Sequence, residues 1–308
     1  MAIISTETTK VLLPRELDTS MLEDTRKTST VARLSAREAQ RFGEKEYPIF
    51  NDLPKAEFVE EGAQKASTGL SLGVVKSTPK KAQFTLRFNE EVQWADEDYQ
   101  LGVLAECAKA GSVALSRALD LGVYHKINPL TGTVIDGWEA VTDSTKAVEL
   151  GGADADASVR EAVGLVVNDG TGAQVTGLAL DPRMSWDLAG LQALSGGQPT
   201  GTPRYPNLGF GTDITSFMGI NTAQADTVSG TPEAQDTGVR AILGDFNRGI
   251  RWAVQRNIPL EVIRWGDPDG QGDLKRQNQI ALRMEIVYGW YVNPEKFAVI
   301  KAAAGAGE

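Results

Sequence analysis

Six alternating apolar residues near the carboxy-terminal end constrain this chain more than any other feature. Ile280, Leu282, Met284, Ile286, Tyr288 and Trp290 fall on one face of an extended backbone, and Arg283 and Glu285 fall on the other. That period of two predicts a half-buried β-strand. The strand should stop at Asn293-Pro294, because proline has no amide hydrogen to donate to a ladder. Upstream, Val239 to Leu243 is a short apolar, β-branched run, and Gly244-Asp245 with Asn247 to Gly249 supplies turn chemistry around Phe246. Ile250 to Val254 and Ile258 to Ile263 read as two further strands, with Pro259 marking the start of the second. No catalytic motif falls in this quarter of the chain.

Composition narrows the function. At 308 residues the chain can bury a large core, as one elaborated domain or two. A net charge of −10 excludes tight binding to a phosphate backbone or an anionic membrane surface. The single cysteine, Cys107, leaves no intrachain disulfide and no paired-cysteine metal site. The single histidine, His125, removes most histidine chemistry. No basic segment followed by an apolar run opens the chain, and no run of about 18 apolar residues occurs. These features predict a soluble protein of a reducing cytoplasm, with no cofactor and no membrane partner.

Residues 1–53 are polar and threonine-rich, with apolar islands at Leu12-Leu13 and Met21-Leu22 and a short helix expected near Ser29 to Gln40. Such a stretch cannot stabilise itself; it is a disordered tail or an arm that orders on a neighbour. Residues 54–94 read as a two-stranded excursion, Ala56 to Glu60 and Gln83 to Gln93, joined by a loop rich in glycine, serine and lysine. A loop of about 20 residues exceeds an ordinary hairpin turn. Residues 96 to about 123 read as one long helix, with Leu101, Leu104, Ala105, Ala108, Leu115, Ala118 and Leu119 at helical spacing. Gly102 and Gly111 weaken it by about 1 kcal/mol each unless a close neighbour needs the room. Cys107 reads as a small buried core residue, and His125 as a helix-end residue favoured by the negative dipole end.

Beyond the helix, residues 130–153 read as a polar connection. A helix is expected from Ala157 to Asn168, capped by Asp156 or Ser158. A buried strand follows at Thr176 to Leu180, then Asp181-Pro182 opening a helix from Arg183 to Ala193. Residues 195–213 form a glycine-proline loop.

Asp267, Asp269 and Asp273 echo a calcium loop, with glycine at the sixth position. Gln271 and Asn278 stand where stronger ligands belong, so a solvated turn between strands is the plainer reading. Asn207 to Gly211 lacks a full nucleotide-binding glycine pattern. No Gly-x-Ser-x-Gly motif is present, so a Ser-His-Asp triad through His125 is the weaker reading beside its helix-end role.

The carboxy-terminal run Ala241-Ile242-Leu243-Gly244-Asp245-Phe246, then Arg248-Gly249, Arg256, Arg283 and Asn293-Pro294, resembles the tailed-bacteriophage major capsid protein family, the Hong Kong ninety-seven type fold. Val59, Glu60 or Glu61, and Gly62 resemble the opening of that family's extended loop. Asp181-Pro182 with Trp186 and Leu188 fits roughly, and so does Phe217-Met218-Gly219-Ile220, without the usual proline.

The resemblance implies an α+β fold. An N-terminal arm (1–53) precedes an extended β-hairpin E-loop (54–94) and a peripheral domain with a long spine helix (95–150). A mixed α/β axial domain (151–238) and strands returning through both domains (239–308) complete it. It also implies a structural rather than catalytic role: hexamers and pentamers of an icosahedral shell around double-stranded DNA, assembled in a bacterial host. Contacts between copies would fall on Leu12, Leu13, Val59, Glu61, Gly62, Lys65, Leu70, Leu72 and Val74. A separate scaffolding protein, a portal and decoration proteins would be partners. Some relatives weld subunits by a lysine–asparagine isopeptide bond; Lys65, Lys76, Lys80 or Lys81 with Asn278 and Glu285 are the corresponding residues here, one residue out of register from Pro294. The same lysines read as solubilising charge. An encapsulin-like compartment shares the fold and is the alternative. A hydrolase with paired carboxylates would instead need two acids converging in a pocket.

Overall fold

A computed structural model of the chain describes residues 29–303, apart from residues 51–55, 63, 66, 68, 70–71, 91–96, 152–153, 171 and 209–213. The predicted contacts at Leu12, Leu13 and Leu70 therefore lie outside the described residues.

Two sheets share the chain. The first is antiparallel throughout, in the order β1 (Lys45–Phe50), β2 (Leu72–Asn89), β11 (Gln279–Val292), β10 (Ile250–Ile263). The second has six strands: β3 (Ala147–Glu149), β12 (Phe297–Lys301), β9 (Val239–Gly244), β4 (Gly177–Leu180), β8 (Ile220–Gln224) and β7 (Ser216–Phe217). It is mixed, because β3 joins β12 in parallel and β8 joins β4 in parallel. A separate hairpin, β5 (Gln192–Ser195) with β6 (Gln198–Pro203), stands in the predicted glycine-proline loop. The helices are α1 (Thr30–Leu34), α2 (Glu97–His125), α3 (Ala155–Val167), α4 (Pro182–Gly190) and the single turn α5 (Phe246–Gly249).

The six-stranded sheet is buried on both faces, and β12 shows why the chain needs that. Phe297 and Val299 enter one core with Leu119, Tyr124, Phe246 and Tyr288. Ala298 and Ile300 enter a second core with Val159, Val166, Met184 and Leu188 of α3 and α4. At roughly 25 cal/mol per Å² of apolar surface removed from water, these clusters are the main stabilising term.

β11 follows its predicted alternation only in its first half. Arg283 and Glu285 are half-buried between buried neighbours, but from Ile286 to Val292 every residue is buried. Residues 38–43 cover that second face, and Gln40 lies close enough to Gly289 that a Cβ there would strike it. The strand ends where expected: Asn293 caps a short turn at Pro294–Lys296, its side chain accepting from the Glu295 amide at 3.2 Å.

Several elements differ from expectation. Ile250 to Ile263 is one strand, not two. Register shifts at Val254/Arg256 and Ile258/Glu261 absorb Pro259, and an edge strand tolerates proline. The turn around Phe246 is α5, whose Asp245 side chain accepts from the Arg248 amide at 3.1 Å. Residues 147–149 form β3 inside the supposed connection, and Phe217 to Ile220 is the tight turn between β7 and β8. Asp156 does not cap α3; it is buried and bound elsewhere. Residues 56–60 are not a strand: they have no partner strand, and the pair of β2 is Lys45–Phe50 instead.

α2 runs to His125, two residues past the expected end near 123, and Leu121, Val123 and Tyr124 in its last turns are all fully buried. Gly111 has the close neighbour its presence implied. A Cβ at that position would overlap the Phe84 ring of β2, so the glycine lets the helix and the sheet approach.

Candidate inter-subunit surface and the groups that brace it

β2 is longer than the sheet that supports it. Thr78 to Asn89 pairs with β11, but Leu72 to Ser77 pairs only with β1. A two-stranded ribbon therefore extends past the body, and such a ribbon is marginal by itself. Beyond it, every described residue from Ala56 to Gly69 is exposed and outside regular structure. Phe58 is 109% exposed and Val59 38%. Glu61, Gly62 and Lys65 lie in this segment, with Gly62 at φ 86. Val74 projects from the ribbon, 55% exposed, and Leu72 opens β2.

Within one chain the cross-linking candidates come together only in part, as Lys81 with Glu285. Asn278 precedes β11 and Glu285 lies seven residues along it, roughly 23 Å away in an extended strand. Glu285 is held by Lys81 on the adjacent strand, Nζ to Oε2 2.7 Å. Lys76 faces Glu46 across the ribbon at 3.3 Å, and Lys65 is in the exposed segment.

The calcium-like loop is organised around a side chain rather than an ion. The Arg87 guanidinium donates to Asp269 Oδ2 at 3.1 Å, Asp267 Oδ1 at 3.3 Å, the Gly272 carbonyl at 3.0 Å and Gln277 Oε1 at 2.9 Å. Asp273 caps the following turn through the Arg276 amide. Among the described residues no cluster of three acidic, histidine or cysteine side chains could hold a metal.

The arm is more than a tail. Ser29, Thr30 and Val31 are buried, and they converge on the fully buried carboxylate of Asp120 in α2. Oδ2 accepts from the Thr30 amide, the Thr30 hydroxyl and the Thr227 hydroxyl, each at 2.9 Å; Oδ1 accepts from Ser29 and from the Val31 amide. Burial raises the Asp120 pKa, and these hydrogen bonds oppose the rise. The one signal in the sequence is an aspartate between Leu119 and Leu121, at the edge of an apolar stripe.

Other braces join distant segments. Arg117 of α2 holds Asp226 at 2.6 Å and Glu233. Asp156 accepts from Arg204 at 2.9 Å and from the Tyr205 hydroxyl at 2.8 Å; burial raises its pKa, but these bonds outweigh it and hold the group below the ordinary range. His125 is buried, with Nε2 2.9 Å from the Val228 carbonyl. Burial lowers its pKa, so a neutral ring donating to that carbonyl replaces the expected charge at the helix end. Cys107 is half-buried rather than a core residue. Among the described residues no helix is long and apolar enough to cross a membrane.

No protein-family model matches the chain, and no curated protein matches it either. Solved structures do. One from Mycobacterium phage Ogopogo is 43% identical, with a TM-score of 0.79 over 90% of this chain and 92% of that one. One from Gordonia phage Cozz is 30% identical, with a TM-score of 0.77 over 90% and 87%. A chain from the capsid of a native GTA particle shares the fold at 15% identity, with a TM-score of 0.58 over 90% and 91%. At that identity and coverage the chain belongs to the tailed-bacteriophage major capsid protein family.

Proposed function

We propose that this capsid protein self-assembles into hexamers and pentamers that close into an icosahedral shell around double-stranded DNA. The observation that carries the reading is the exposure of every described residue between Ala56 and Gly69, beyond a ribbon that its own body does not support. A stretch carrying Phe58 in water gains stability only when another surface covers it. In this reading 54–94 is the E-loop, α2 the spine helix of a peripheral domain over 95–150, and 151–238 the axial domain, with 239–308 returning through both. The arm and E-loop lace each copy to its neighbours through many modest contacts, so misplaced subunits can leave before the shell tightens. The net charge of −10 suits a lining that encloses DNA without gripping it. A separate scaffolding protein directs closure in the host cytoplasm, a portal occupies one vertex, and decoration proteins bind the outside.

The test is electron microscopy of the chain produced in bacteria with and without a scaffolding protein. Closed polyhedra with five-fold vertices support the reading; a chain that stays monomeric in both preparations contradicts it.

A further inference from the structure

A groove of about 490 Å³ lies between α2, the inner face of β2 and the loop that follows the helix. Phe84, Ala114, Leu115, Ala118 and Trp138 make it apolar, and Leu130, 92% exposed, stands at its rim. A dry cavity of roughly 150 Å³ holds a benzene ring. This groove has room for a phenyl ring and the backbone beside it.

Lys80 marks one end of the groove. Its ammonium sits 4.5 Å from the Trp290 ring centroid and 5.2 Å from that of Trp138, and it donates to Thr78 Oγ1 at 3.2 Å. The neighbouring Lys81 is joined to Glu285, but among the described residues no carboxylate forms an ion pair with Lys80. Burial lowers the Lys80 pKa to about 8, against a weaker opposing effect of Glu139. A desolvated cation over two indoles is a receptor for a carboxylate that arrives with apolar company.

The chain itself carries such a ligand. Glu57-Phe58-Val59-Glu60-Glu61 sets two apolar residues among three acids, and Phe58 is fully exposed in its own subunit. We propose that this segment of a second copy docks in the groove, with Phe58 seated against Phe84 and Ala114 and a flanking glutamate, Glu60 or Glu61, completing Lys80. The inference rests on the shell reading and specifies which surface of the neighbour receives the exposed segment. Shape and charge both select this occupant: an apolar slot, whose one wall carboxylate Glu233 is held by Arg117, ends at a lysine outside any ion pair among the described residues and receives an apolar side chain flanked by carboxylates.

The test uses assembled particles of a Cys107→Ser chain carrying Val59→Cys and Leu130→Cys at the groove rim, which leaves Phe58 and Lys80 intact, treated with a short bismaleimide. A ladder of covalent multimers is expected, absent from either single-cysteine chain. Particles that form but give no ladder overturn the docking. Should the double variant not assemble, hydrogen exchange on unmodified particles decides. Exchange in residues 57–61, 80–84 and 114–118 is expected to slow together by on the order of tenfold relative to dissociated subunits; unchanged exchange in residues 57–61 or in the groove overturns the proposal. Failure of the unmodified chain to form particles would overturn the shell reading instead, and this inference with it.

Discussion

The amide of Thr30 and the carboxylate of Asp120 meet at 2.9 Å in the protein interior, tying the arm to the carboxy-terminal part of a 29-residue helix. Five donors from two separate segments, residues 29–31 and Thr227, share that one carboxylate. Asp120→Ala strands them without an acceptor. A buried polar group left unpaired costs about 1–3 kcal/mol, so the variant should lose on the order of 3–5 kcal/mol in urea unfolding. Asp120→Asn keeps an acceptor oxygen and should lose less. Equal stability of D120A and the parent would show that the arm is not anchored there.

The lone histidine makes the acid limb of the stability curve legible. Burial places the folded pKa of His125 below its ordinary 6.5. The unfolded chain therefore binds the proton first as pH falls. Stability contributed by the neutral ring is fully present above pH 6.5 and declines as pH drops toward the folded pKa. His125→Gln should remove the part of the slope that lies just below pH 6.5. An unchanged slope there would contradict the neutral, buried ring.

Gly111 offers a test of how closely helix and sheet approach. In an unobstructed helix, glycine to alanine stabilises by about 1 kcal/mol. Here the new methyl meets the Phe84 ring, so Gly111→Ala should destabilise by about 1–3 kcal/mol instead. Adding Phe84→Leu should recover part of that loss, measured as a double-mutant cycle in unfolding free energy. Additive losses would mean that the two residues do not touch.

How much of this was readable without coordinates depended on whether a segment's partners were local. β11 announced itself through its own alternation, and Asp181-Pro182 through its own capping chemistry. The extended segment was recognisable from its composition, yet its strands were misplaced. Residues 56–60 have strand-forming apolar residues but no partner, while Leu72 to Lys81, rich in polar residues, is a strand because β1 and β11 flank it. Three-residue β3 exists only because β12 lies beside it. The Asp120 clasp joins residues about ninety positions apart, and no local pattern encodes such a pairing. The acidic loop looked like an ion site because its carboxylates are spaced for a cation; the cation is Arg87, far away in sequence.

Glu285 bears on covalent cross-linking. It is already paired with Lys81, and Asn278 lies just before the same strand, seven residues away. Particles boiled in detergent should run as a single band of monomer mass, near 33.1 kDa. Ladders or rings of linked chains, in the absence of added reagent, would show that neighbouring copies assemble the trio that one chain does not.

The account turns on the segment from Ala56 to Gly69 being finished by another copy. A cryo-electron microscopy reconstruction of assembled particles tests that directly. The account predicts an icosahedral shell in which density for this segment lies ordered against the adjacent subunit. A shell whose subunits leave the segment solvated, or a protein that stays a solitary monomer at every concentration tried, would contradict it.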